Sequence, residues 1–191
     1  MNFLAHLLLA GNNRYSIIGN FIADHVKGSA IDLYNEQIRK GIRFHRSVDE
    51  FTDSNDIVKE AVLSLRPQFH KYAGVVVDMY YDHFLAKDWV KYSTEPLEDF
   101  TARIFDVLRS SYDILPQRSR YMLPYMIADN WLLNYRNFEG LNQALTGISK
   151  RTTFESGLEN AVDHLKAHYE IYQVSFIEFF PQLRSFAQNL H

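Results

Sequence analysis

The chain of 191 residues contains no cysteine. That absence excludes disulfides, thiolate nucleophiles and cysteine-ligated zinc or iron–sulfur centres together, and leaves His, Asp and Glu as the side chains able to hold a metal. Only 8 Gly and 5 Pro interrupt the sequence, too few for many short strands joined by tight turns, so long helices are expected. The net charge of −3 lacks the strongly basic footprint of a nucleic-acid binder; no nucleic-acid partner is expected, and a polyanionic partner would need a local basic patch. No apolar run approaches a membrane span. The N-terminal stretch Met1 to Ala10 is apolar but short, has no basic flank and contains His6. A cytoplasmic protein without membrane association is the expectation.

What the chain does have is ring-bearing and apolar. Hydrophobic residues make up 47% and aromatic residues 15%, with 14 Phe and 12 Tyr, which argues for a packed core rich in rings. The length suits one compact helical domain over residues 1–191.

The most informative stretch is Gly-Ile-Arg-Phe-His-Arg-Ser-Val-Asp-Glu-Phe-Thr-Asp, residues 41 to 53. On a helix, His45, Asp49 and Asp53 recur every four residues and form one stripe. One imidazole and two carboxylates can hold a hard or borderline divalent cation; the alternative is a solvated acidic face. Arg39, Arg43 and Arg46 fall on a neighbouring stripe if Gly41 does not break the helix, giving either a cationic rim or pairs with Asp32, Glu36 and Glu50.

Before this stretch, residues 2 to 10 read as a short buried helix stopped at Gly11-Asn12-Asn13, with His6 inside it. A second helix is expected from Tyr15 to Lys27 with Gly28 as its C-cap; its Asp24 needs a cation, donors or solvent. After it, Ser54-Asn55-Asp56 supplies N-cap chemistry for a structural helix that ends near Arg66-Pro67.

The second chemical stretch is residues 72 to 86, where Asp78, Asp82 and His83 interrupt a run otherwise apolar all round. Asp78 and Asp82 share a helix face and each requires a counter-charge, supplied by a metal or by a structural ion pair. His83 lies about 100° round the helix, as a ligand, a general acid or a partner of ligands. Further helices are expected at 97–115 and 119–136, a short one from Phe138 to Ile148, a basic loop at Lys150-Arg151, and an amphipathic segment from Phe154 to Phe179 that stops at Pro181. There is no Gly-rich phosphate loop, no nucleophile elbow and no repeat. His and Asp pairs drawn from separate helices are the site architecture of metal-dependent phosphohydrolases.

Four co-linear blocks make the chain recognisable: Asn-Phe-Leu-Ala-His-Leu at 2 to 7, Gly-Asn-Phe-Ile-Ala-Asp at 19 to 24, the 41 to 53 stretch, and Asp-Met-Tyr-Tyr-Asp-His-Phe-Leu-Ala at 78 to 86. It resembles the acyl carrier protein phosphodiesterase family from Asn2 to about Leu183, and more distantly the HD-type phosphohydrolases. The resemblance implies an all-α, HD-like domain that hydrolyses the phosphodiester joining 4′-phosphopantetheine to a serine of holo acyl carrier protein. It implies a divalent cation, Mn²⁺ first, with Mg²⁺ or Fe²⁺ as alternatives. Carried over by position, Asp24, His45, Asp78 and Asp82 are the expected metal ligands, and His83, Asp49 and His6 the expected catalytic groups. Arg39, Arg43 and Arg46 are the expected docking surface for the acidic carrier. One departure is visible: the family pattern continues Thr-Asp-x-His-Pro, whereas this chain has Thr52-Asp53-Ser54-Asn55-Asp56. Two other readings use the same residues: a phosphohydrolase of a nucleotide or other small phosphoester, and a helical binding protein without catalysis.

Overall fold

The computed structural model describes residues 1–190, and no strand occurs among them. The helices are α1 (Phe3–Leu9), α2 (Arg14–Ile22), α3 (Glu36–Ser54), α4 (Asp56–Phe69), α5 (Ala73–Lys87), α6 (Leu97–Arg109), α7 (Gln117–Ala128), α8 (Trp131–Asn134), α9 (Phe138–Ser149), α10 (Ala161–Ala167) and α11 (Tyr169–Gln188). They bury one continuous hydrophobic core, so the fold is a single all-α domain.

The centre is α5, apolar round most of its circumference: Val76, Val77, Tyr80, Tyr81, Phe84 and Leu85 are all buried. It lacks a polar face because it has no solvent face to give one to. The long α11 covers it through rings, with Phe176 against both Tyr81 and Phe84 and Phe179 against Tyr81. α1 packs on α5 and α2, and α4 and α11 complete the wall around α3.

α2 and α3 make the closest pairing, and two glycines permit it. A Cβ on Gly41 would fall 2.8 Å from the carbonyl oxygen of Ser16 and 3.0 Å from Cα of Gly19. Those obstacles are backbone, which cannot rotate aside. Gly41 therefore does not break α3, but lets α2 seat on it. Gly41→Ala should lower the unfolding free energy by about 2 kcal/mol, the overpacking cost exceeding alanine's better helix propensity; urea denaturation reads the change as an earlier midpoint.

Several helix ends differ from the sequence expectation. α2 stops at Ile22 and tightens into a 3-10 turn at Ala23–His25; Gly28, with φ +55°, opens a second 3-10 segment at Gly28–Leu33 instead of capping a helix at Lys27. Pro67 lies inside α4 and Pro181 inside α11, and neither ends its helix. Both prolines sit on exposed faces, where water can take the carbonyl that loses its amide partner. The expected 119–136 helix divides at Asn130, which adopts φ +42° between α7 and α8. The expected 97–115 helix ends at Arg109, followed by a 3-10 turn at Tyr112–Ile114, and the 154–179 segment begins with Gly157 at φ +68° and divides at His168 into α10 and α11. Asn55 does cap α4: its Oδ1 accepts from the amide of Ile57 at 3.0 Å, while its Nδ2 donates to Gln182. Among the described residues, no helix is long and apolar enough to cross a membrane.

Candidate metal centre

Three elements bring one polar cluster together against the core. α1 supplies His6, α3 supplies His45 and Asp49 one turn apart, and the 3-10 turn after α2 supplies Asp24. Nε2 of His6 lies 2.9 Å from Oδ1 of Asp49, and Nε2 of His45 lies 3.1 Å from the other oxygen of Asp49 and 3.4 Å from Oδ1 of Asp24. The two imidazoles stack with ring centres 3.8 Å apart and planes 23° apart. His6 is 2% exposed and His45 5%, whereas the side chain of Asp24 is 66% exposed and forms the solvent side of the cluster.

The electrostatics follow from this nesting. Burial lowers His6 to about 4, against the pull of Asp49, so its imidazole is neutral at pH 7 and carries a lone pair. Burial also acts to lower His45, but the contacts to Asp24 and Asp49 outweigh it and raise that imidazole to about 9. Burial would raise Asp49, yet the two imidazoles hold it well below the usual carboxylate range; the bond from His45 lowers Asp24 as well. Without a cation, the protonated His45 is the positive charge that two carboxylates share.

The donor set fits a divalent cation. His6, His45 and Asp49 each offer a ligand atom, with these atoms within 4.8 Å of one another. Both ring nitrogens of His6 are buried without a hydrogen bond, as is Nδ1 of His45; the 2.9 Å approach of His6 to Asp49 lacks hydrogen-bond alignment. Buried polar atoms left in that state are costly unless a further group satisfies them. Two imidazoles and a carboxylate, with Asp24 beside them, suit Mn²⁺, Fe²⁺ or Zn²⁺ better than Mg²⁺, which prefers an oxygen shell.

The other expected site residues lie elsewhere. Asp82 is fully buried, and its carboxylate accepts from the amides of Leu4 at 2.8 Å and Ala5 at 3.2 Å. It caps the first turn of α1, and burial pushes it up to about 7. Asp78 accepts from the Met1 ammonium at 2.8 Å. Neither joins the His6–His45–Asp49 group; Asp78 is met by the terminal ammonium ahead of α1 and Asp82 by two amides of its first turn. His83 is buried beside Phe138, its ring 5.2 Å away and stacked, with Nδ1 2.8 Å from the carbonyl of Tyr135 and Nε2 3.5 Å from Tyr169 Oη. That places it in the aromatic core. Asp53 is exposed on the last turn of α3. Of the arginine stripe, Arg39 pairs with Asp32 and Glu36, Arg43 pairs with Glu36, and Arg46 donates to the carbonyl of Val26 at 2.7 Å. His6 had no local signal marking it for Asp49, because that contact joins α1 to α3 across the core.

A pH dependence follows. The stability contributed by protonated His45 is complete below its ordinary pKa of 6.5 and is lost as pH rises through about 9. Metal-free protein should therefore melt at progressively lower temperature from pH 7 to 9. Cation binding must expel the same proton, so Mn²⁺ affinity should rise by up to about tenfold per unit over that range; calorimetric titrations at pH 7, 8 and 9 measure it.

The sequence profile described as acyl carrier protein phosphodiesterase matches residues 1–183. The protein is 34% identical over 194 residues to the acyl carrier protein phosphodiesterase of Klebsiella pneumoniae subsp. pneumoniae, covering 99% of this chain and 98% of that one. It is 32% identical to the protein of the same name from Enterobacter sp. over 190 residues, with 99% and 98% covered, and 32% identical to that of Escherichia coli O6:H1 over 184 residues, with 96% and 95% covered. No solved structure matches the chain. With a match across nearly its whole length, and with both histidines of the cluster inside the matched span, this chain belongs to the acyl carrier protein phosphodiesterase family.

Proposed function

We propose that this protein hydrolyses the phosphodiester of holo acyl carrier protein, releasing 4′-phosphopantetheine and leaving a serine hydroxyl. The observation that carries the proposal is the His6–His45–Asp49 group, whose two buried histidines hold unsatisfied nitrogens, in a chain that matches the family over 183 residues. His6, His45 and Asp49 hold a divalent cation, Mn²⁺ first, and Asp24 borders it on the solvent side. The bound cation supplies positive charge to the phosphoryl oxygens and acidifies a water. Asp49 turns one oxygen toward Nε2 of each imidazole, so the three donors would face a common point. Asp24, the most exposed of the four, orients the attacking water and accepts its proton. Water adds at phosphorus, the bond from phosphorus to the serine oxygen breaks, and that oxygen takes up a proton.

The arginine stripe remains the proposed docking rim for an acidic carrier. Arg39, Arg43 and Arg46 outnumber the partners Asp32 and Glu36, so the patch keeps a positive surplus beside the His45 face.

The test is incubation of the purified protein and Mn²⁺ with holo carrier protein, read by mass spectrometry as loss of the phosphopantetheine arm. Efficient turnover of a nucleotide or other small phosphoester with the carrier untouched would replace this reading by a small-molecule phosphohydrolase. Absence of both activities, with a melting temperature indifferent to Mn²⁺, would leave a binding protein.

A further inference from the structure

A groove of about 270 Å³ lies between α7, α8 and α9, separate from the polar cluster. Its walls are aromatic: Tyr121 and Tyr125, whose rings stand 5.5 Å apart on α7, and Trp131 of α8. Its α9 side carries little side chain at Ala144 and Gly147, while Gly140 is closed off by the backbone of Asn134. Asn134 and Gln143 add side-chain amides to the lining. Tyr121 is 70% exposed and Tyr125 53%, an exposure of large rings that folding alone does not call for.

Helix α7 runs from beside the Asp24 turn to the groove. Ser119, in the first turn of that helix, accepts or donates a 2.7 Å hydrogen bond with Nδ1 of His25, the residue after Asp24. Arg118 is close enough to His25 to help depress its imidazole, after burial, and stands on the same side of α7 as Tyr121 and Tyr125. From Ser119 to Tyr125 is six residues, about 9 Å along the helix axis. A linear ligand anchored by a phosphate near Asp24 would pass Arg118 and then reach the aromatic walls.

We propose that this groove holds the pantetheine arm of the carrier while its phosphate sits at the His6–His45–Asp49 cluster. The proposal rests on the hydrolase reading above and adds the subsite that selects the substrate. The arm is a flexible chain of two secondary amides with a gem-dimethyl group and a terminal thiol. Its apolar part suits rings set opposite the small residues Ala144 and Gly147, and its amides suit Asn134 and Gln143.

Gly147 gives a clean test. A Cβ at this position would meet nothing within 4 Å, and its backbone is helical, so Gly147→Phe projects a ring into the groove without disturbing the helix. The variant should raise KM for holo carrier protein about tenfold or more while leaving kcat on a small phosphodiester and the melting temperature near wild type. An unaltered KM in Gly147→Phe overturns the proposal. Pantetheine alone provides a readout independent of catalysis: it should change the fluorescence of Trp131, one of two tryptophans, with the signal absent from both Gly147→Phe and Trp131→Phe. If wild-type protein fails on holo carrier protein, the hydrolase reading falls by itself, and the pantetheine titration still decides the groove: no change in fluorescence removes it as an arm site.

Discussion

His45→Gln should abolish retention of Mn²⁺ and lower hydrolysis of holo carrier protein by about 10³-fold, with helical content at wild-type level. His45 is the member of the cluster that touches both carboxylates, at 3.1 Å and 3.4 Å, and stacks on the remaining imidazole. Glutamine keeps the volume and a polar end but offers no imidazole lone pair, so the cation loses a ligand and Asp24 and Asp49 lose the group that fixes their separation. Several kcal/mol of transition-state charge stabilisation goes with the cation, and each 1.36 kcal/mol is tenfold in rate, which sets the size of the loss. Metal content by mass spectrometry after dialysis and single-turnover rates on holo carrier protein are the two measurements. A variant that retains stoichiometric metal and full rate would move the centre away from this cluster.

Asp82→Ala should cost about 3 kcal/mol of stability, the largest effect expected from any single carboxylate here. Its oxygens receive the amides of Leu4 and Ala5 in a fully buried site, and alanine would leave both amides without a partner. Asp82→Asn, which keeps one acceptor, should lose about half as much. The damage should also reach the cluster, since α1 carries His6 one residue beyond the capped amides; cation affinity would fall even though Asp82 touches no ligand atom. Asp78→Ala, by contrast, strips the buried Met1 ammonium of its partner but leaves no backbone amide bare, and the terminus can release its proton, so it should cost about 2 kcal/mol. Urea midpoints for the three variants, measured without metal, order them; equal effects from Asp78 and Asp82 would show that the backbone cap contributes nothing beyond charge.

The comparison of these two acids marks where local reasoning stops. The sequence placed both on one face of a buried helix and required a counter-charge for each, because a carboxylate among valines and tyrosines is intolerable alone whatever the fold. Which partner arrives is a question of what packs on α5, and the answer, the first residues of the chain, lies more than seventy positions away. The same division runs through the rest of the molecule. Helix periodicity is local, so the His45–Asp49 pair, the arginine stripe beside it and the all-round burial of α5 could be read from spacing. Asn55 as a cap was legible too, since capping involves neighbours in sequence. The prolines at 67 and 181 were misleading as stops because their cost depends on whether the interrupted carbonyl faces water. Asp24 reaches His45 because α2 tightens after Ile22, and His6 reaches Asp49 because α1, packed on α2 and α5, carries it to α3. Sequence alone determined an all-helical chain with acids and imidazoles that could not be left unpaired; tertiary packing decided which of them meet, because a contact between helices is set by the surfaces that bury them and not by the spacing within either one.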